Sequence, residues 1–71
     1  MIELKLGREY YHRLRDMEQW LDSNIGLGDW AALSDFLDDS NLQWSINQIF
    51  GYTYIRFRQE RDATLFTLKW L

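Results

Sequence analysis

Cysteine and proline are absent from this chain, histidine occurs once, and glycine only four times in 71 residues. Without cysteine there is no disulfide and no thiolate for a metal. A chain of this length makes a single domain at the lower edge of what one core stabilises, where disulfides or metals usually add support. Here that support has to come from dense packing or from self-association. Missing proline and scarce glycine also argue against a disordered chain. Long apolar runs are missing too. A membrane helix needs ~20 apolar residues, and even the longest uncharged run, residues 40–55, carries Ser, Asn, Gln and Thr throughout. The opening MIELKLGREYY lacks the charged-then-apolar layout of a signal peptide. Together with the lack of cysteine, this favours a cytoplasmic location and no membrane partner.

Basic charge is scarce as well. Lys and Arg number 8 against 11 Asp and Glu, for a net −3. Residues 1–41 carry net −5 and residues 42–71 net +2. A nucleic-acid binder normally presents a basic footprint, because phosphate neutralisation supplies most of its affinity. The split suits instead an acidic surface that meets a basic site on another protein.

Catalytic apparatus is thin. His12 is the only histidine; it falls opposite its helix's apolar stripe, beside Arg13, Arg15 and Asp16, and reads as a surface residue. No cysteine is available as nucleophile, and none of the four serines stands in a nucleophile-elbow context. Phosphate-binding glycine loops, metal-ligand spacings and the D-x-D-x-D-G of a calcium loop do not occur. The chain reads as a non-enzymatic protein with no cofactor and no metal.

Aromatic residues are what it has in plenty: four each of Trp, Tyr and Phe. Residues 2–6 alternate apolar and charged, the pattern of a half-buried strand, and Gly7 ends it. Tyr10, Leu14, Met17 and Leu21 then share one helical stripe, widened by Tyr11 and Trp20, which predicts a helix over 8–23. Asn24, Gly26 and Gly28 supply its stop signals. Asp29 suits the N-cap of a short second helix over 30–38, with Trp30, Leu33 and Leu37 inward. Leu42, Trp44 and Ile46 alternate in a strand over 42–47. In a third strand Thr53, Ile55 and Phe57 point inward, and Tyr52, Tyr54, Arg56 and Arg58 outward. The tail, 60–71, fits both periods: Thr64, Phe66, Leu68 and Trp70 line one side of a strand, or Ala63, Phe66 and Trp70 one stripe of a helix. The expected core is Leu14, Met17, Trp20, Leu21, Trp30, Leu33, Leu37, Trp44, Ile46, Ile55, Phe57 and Phe66.

One segment has a familiar form. FGYTYIRF, residues 50–57, resembles the signature octapeptide of the RNA-recognition motif, K/R-G-F/Y-G/A-F/Y-V/I-x-F/Y. Gly51, Tyr52, Tyr54, Ile55 and Phe57 match; Phe50 and Thr53 do not. The following QERDATLFTL resembles the turn and helix after that strand in ferredoxin-like domains, which tips the tail to helix. DATLFTLKW is also similar to the endings of small tailed-phage proteins with an F-x-x-x-x-D-A-x-x-F-x-L-x-W pattern. The first strand carries Glu3 where an RNA-binding strand has an aromatic, and no residues follow Leu71 for a fourth strand. The expected fold is therefore α+β: a three-stranded antiparallel sheet with helices on one face, ordered β-α-α-β-β-α, a truncated ferredoxin-like arrangement.

The outward row Tyr52, Tyr54, Arg56, Arg58 is the leading candidate surface. Aromatic rings stack on bases at about 1–3 kcal/mol each, and arginines meet phosphates. Tyr and Arg also dominate protein interface hot spots, and they are common on plain sheet faces. The charge split favours protein contact. The expected function is a small protein-binding module, a phage accessory protein that engages a host or phage protein in the host cytoplasm. A single-stranded RNA or DNA binder using the Tyr52–Arg58 row is the alternative. Asp35, Asp38 and Asp39 supply the acidic part of the expected partner surface, and Trp70 is a further contact. Finally, an uncharged strand over 42–47, if it lies at a sheet edge, can pair with its twin. That predicts a homodimer with Trp44 or Trp70 near the interface.

Overall fold

Ile2, Leu4 and Leu6 turn to one side of β1 (Ile2–Leu6) and Glu3 and Lys5 to the other, as their alternation predicts. The structure, a computed structural model, describes residues 2–30 and 41–71. After Gly7 the chain enters a 3-10 segment (Arg8–Arg13) and then α1 (Leu14–Asn24). The continuous helix expected over 8–23 is thus wound tighter in its first part. Gly7 has no capping side chain, and the Tyr10 N–H donates instead to the Gly7 carbonyl at 3.3 Å, the i→i+3 bond of a 3-10 turn. At the other end the Ile25 and Gly26 N–H groups both donate to the Leu21 carbonyl, and Gly26 takes φ 135°, open only to glycine at low cost.

Residues 28–30 depart from expectation. They form β2 (Gly28–Trp30) rather than the start of a helix. The Asp29 carboxylate, read as a helix cap, accepts instead from the adjacent Trp30 N–H at 2.8 Å. Trp30 is consequently on a strand and 41% exposed, not in the core. The remainder of the expected helix, with Leu33 and Leu37, lies outside the described residues.

β3 (Trp44–Ile49) and β4 (Tyr52–Phe57) form a hairpin whose two-residue turn is Phe50–Gly51. The sheet runs β1-β4-β3-β2: β4 is antiparallel to both neighbours, and β2 is parallel to β3. The α+β class is as expected, but the sheet is four-stranded and mixed, not three-stranded and antiparallel. The described elements run β-α-β-β-β-α. One consequence concerns the expected dimer. The strand expected over 42–47, which could pair with its twin only from a sheet edge, forms as β3 and is interior, flanked by β4 and, at Trp44–Ile46, by β2. Trp44 itself is 1% exposed and unavailable to a second chain.

The tail resolves as helix α2 (Glu60–Trp70), with Glu60 and Asp62 in its first turn and Lys69 in its last, as the helix dipole favours. Its Phe66 centres an aromatic cluster: ring centroids lie 5.6 Å from Phe57, 6.0 Å from Trp20 and 6.4 Å from Trp70. Leu14, Met17 and Leu21 of α1, Trp44, Ile46, Ile55 and Phe57 of the sheet, and Phe66 are all buried. Leu6 and Ala63 join them, and Trp20 packs against them half-buried. Burying such side chains stabilises by roughly 1.5–3 kcal/mol each before entropy is counted. This packing stands in for the missing disulfides.

Candidate functional site

Period-two alternation carries Tyr52, Tyr54 and Arg56 to the sheet face turned away from the core. Register brings Glu3 and Ser45 beside Arg56, Lys5 and Asn47 beside Tyr54, and Ile49 beside Tyr52. The cations on this face are engaged within the chain. Arg56 Nε donates to Glu3 Oε2 at 2.7 Å, and the Arg56 side chain is 18% exposed. Lys5 Nζ stands 4.1 Å from the centroid of the Tyr52 ring, a cation–π contact on the strand diagonal. Arg58, beyond the strand end, donates from Nε to the Leu42 carbonyl at 2.8 Å, tying β4 to the approach to β3. A phosphate arriving here would compete with these bonds.

The expected site residues do not converge. Tyr52, Tyr54 and Arg56 lie along β4 with Arg58 just past its end, whereas Trp70 belongs to the helical layer. There its ring packs against Phe66 and under the Arg13 guanidinium, 4.8 Å from the centroid. Its indole Nε1 is buried with no hydrogen-bond partner among the described residues. Asp35, Asp38 and Asp39 lie outside the described residues. Among the described residues no group of three His, Cys, Asp or Glu could hold a metal ion, and no helix is long and apolar enough to cross a membrane.

Sequence reasoning missed Phe50. It occupies the first central position of the β3–β4 turn at φ 51°, followed by Gly51 at φ 85°. Positive φ at both central residues is the geometry of a type I′ hairpin, for which Asn-Gly is the preferred pair. An aromatic residue there costs about 1–2 kcal/mol of backbone strain. Nothing is recovered by burial, because Phe50 is 93% exposed. Ile49 and Tyr52 flank it on the outer face, and Tyr52 is 44% exposed. The Arg8 guanidinium lies against Gly51, so close that a Cβ there would be 2.7 Å from Nε. The hairpin tip is therefore an aromatic point with Arg8 against Gly51 and Lys5 over Tyr52 close by. A signal was present in the sequence: the strand phase breaks at Gln48–Phe50 and Gly51 restarts it, which marks a turn.

Compared with family models, with curated proteins and with solved structures, the chain matches none.

Proposed function

We propose that this chain is a non-enzymatic protein-binding module whose contact surface is the β3–β4 tip and the adjoining outer face. The observation that carries the reading is Phe50: strained, aromatic and almost wholly exposed. A residue that lowers stability and contributes no packing is best explained by a contact outside the chain. Aromatic side chains are the usual anchors of such contacts. Arg8 and Lys5 beside the tip suit a partner pocket that is apolar within and acidic at its rim. The similarity of the tail to tailed-phage proteins makes a host or phage protein the first partner to seek.

The alternative, single-stranded RNA or DNA stacked on Tyr52 and Tyr54, has less support, since Arg56 and Arg58 are already bonded within the chain. Parallel capture from the lysate of the source cell and of its host tests the proposal. A protein retained by the wild-type chain and by Arg61→Ala, but lost with Phe50→Asn, supports it. Equal retention by Phe50→Asn refutes it. Salt-sensitive oligonucleotide binding, abolished by Tyr52→Ala with Tyr54→Ala, would favour the alternative.

A further inference from the structure

Strand β1 has one neighbour in the sheet, β4, and among the described residues nothing pairs with its other edge. Edge strands in natural proteins are usually blunted by charged side chains, Lys above all, by proline, by a bulge or by an inward charge. β1 has only the first, and its two charges are of opposite sign, so they repel a second copy in some registers and attract it in another. Its inward residues, Ile2, Leu4 and Leu6, are all apolar, and its outward residues are one acid and one base, Glu3 and Lys5. Alongside this edge runs an open groove of about 310 Å³, lined by Ile2 and Leu4 of β1 and by Ala63, Thr64, Thr67 and Leu68 of α2, with Glu60 at one end. Leu68 in its wall is 79% exposed, and Leu65, one turn earlier in α2, and Leu71, just past its end, are exposed too. A polar backbone edge and an apolar stripe are thus open side by side.

We infer that β1 pairs antiparallel with β1 of a second copy of this chain, about a two-fold axis at Leu4, joining the two sheets into one of eight strands. The occupant is identified by its charge pattern. In a two-fold antiparallel pair, inward residues must face inward residues, which leaves axes at Glu3, Leu4 or Lys5 near the strand centre. An axis at Glu3 sets Glu3 against its twin, and an axis at Lys5 sets Lys5 against its twin. Only the axis at Leu4 sets Glu3 opposite Lys5 of the second copy, twice, with Leu4 opposite Leu4 and Ile2 opposite Leu6. Opposite charges across a strand pair are favourable and like charges unfavourable. A carboxylate accepts from several donors, so Glu3 can hold Arg56 and Lys5 of the second copy together. The axis stands normal to the sheet, so both helical layers lie on one side. The two α2 helices then flank the seam, and their Leu68 side chains cover each other's groove. This interface does not use Phe50. It shares Lys5, which would turn from the Tyr52 ring toward Glu3 of the second copy. Its test reads self-association, whereas that of the function proposed above reads capture of a partner.

A charge-exchange experiment at low ionic strength tests it, with circular dichroism confirming that each variant is folded. Sedimentation equilibrium across the micromolar range should give the wild type twice its 8.7 kDa mass. Lys5→Glu alone, and Glu3→Lys alone, should each sediment as monomers, because each places like charges in register. Mixing those two variants should restore a dimer, now a heterodimer, since every cross-strand pair is again opposite in sign. Should Glu3→Lys fail to fold for want of its Arg56 partner, Lys5→Arg, which keeps Glu3 and the sign at position 5, should dimerise where Lys5→Glu does not. A wild type that stays monomeric at every concentration overturns the inference. So do charge-reversed single variants that remain dimeric, a mixture of folded variants that fails to restore association, or a Lys5→Arg chain that stays monomeric.

Discussion

The indole of Trp44 occupies the space in which residue 28 would carry a side chain: a Cβ on Gly28 would lie 2.1 Å from Trp44 Cδ2 and Cε2. The same ring donates from Nε1 to the Gly26 carbonyl at 2.8 Å. Together these two glycines let the parallel strand β2 approach a fully buried tryptophan. Gly28→Ala should therefore destabilise the fold by about 1–3 kcal/mol, the range for overpacking a closely filled site. A lowered urea midpoint, with a shift in tryptophan emission, is the expected readout. An unchanged midpoint would mean that β2 is not held against Trp44.

Phe50→Asn is expected to act in the opposite direction. Asparagine tolerates positive φ, and the exposed ring gives up no burial, so stability should rise by about 1 kcal/mol. In a domain this small that corresponds to roughly 4–8 °C in Tm. A melting temperature that falls would show that the ring packs against the chain after all.

Two tryptophans should respond differently to the same change. Trp70→Phe removes a buried donor that has no partner among the described residues, and Trp44→Phe breaks a hydrogen bond and strands the Gly26 carbonyl. An unmet buried polar group costs about 1–3 kcal/mol. Thermal melts should rank Trp44→Phe as the more damaging by at least about 1 kcal/mol; the reverse ranking would contradict the assigned bonding.

Leu14→Ala and Ile55→Ala each empty a buried position, one on α1 and one on β4. A loss of about 2–5 kcal/mol is expected for either, enough to unfold a marginal domain. Melting indistinguishable from wild type would show those inward faces to be misassigned.

Legibility followed periodicity. α1 and β4 announced their inward faces through spacings of four, three and two, and Leu14, Met17, Leu21, Ile55 and Phe57 are buried as read. α2 could not be separated from a strand by period, and the order of its charges agreed with the helix that forms. β2 was invisible for a physical reason. Three residues hold too little pattern to show a period, and its pairing is with a parallel strand sixteen positions further on, from Gly28 to Trp44. Asp29-Trp30 reads equally as a helix cap and first turn, and only tertiary packing on Trp44 decides. Of the candidate surface, the Tyr52–Arg56 face was legible from alternation. Its internal bonding was not, because Glu3 and Arg56 meet through a pairing that no local pattern reveals.

That pairing also sets an order of events during synthesis. Glu3 and Arg56 are 53 positions apart, and the strand between β1 and β3 is the last strand to be made. On the ribosome β1 emerges before β4, its neighbour in the sheet among the described residues, and cannot take its place there until β4 has followed it out. The β3–β4 hairpin, closed by two residues, is free to form as soon as it emerges. Between the emergence of β1 and that of β4 the chain therefore carries residues 2–6 unpaired, with their apolar side chains open, the feature that makes nascent chains prone to associate with one another.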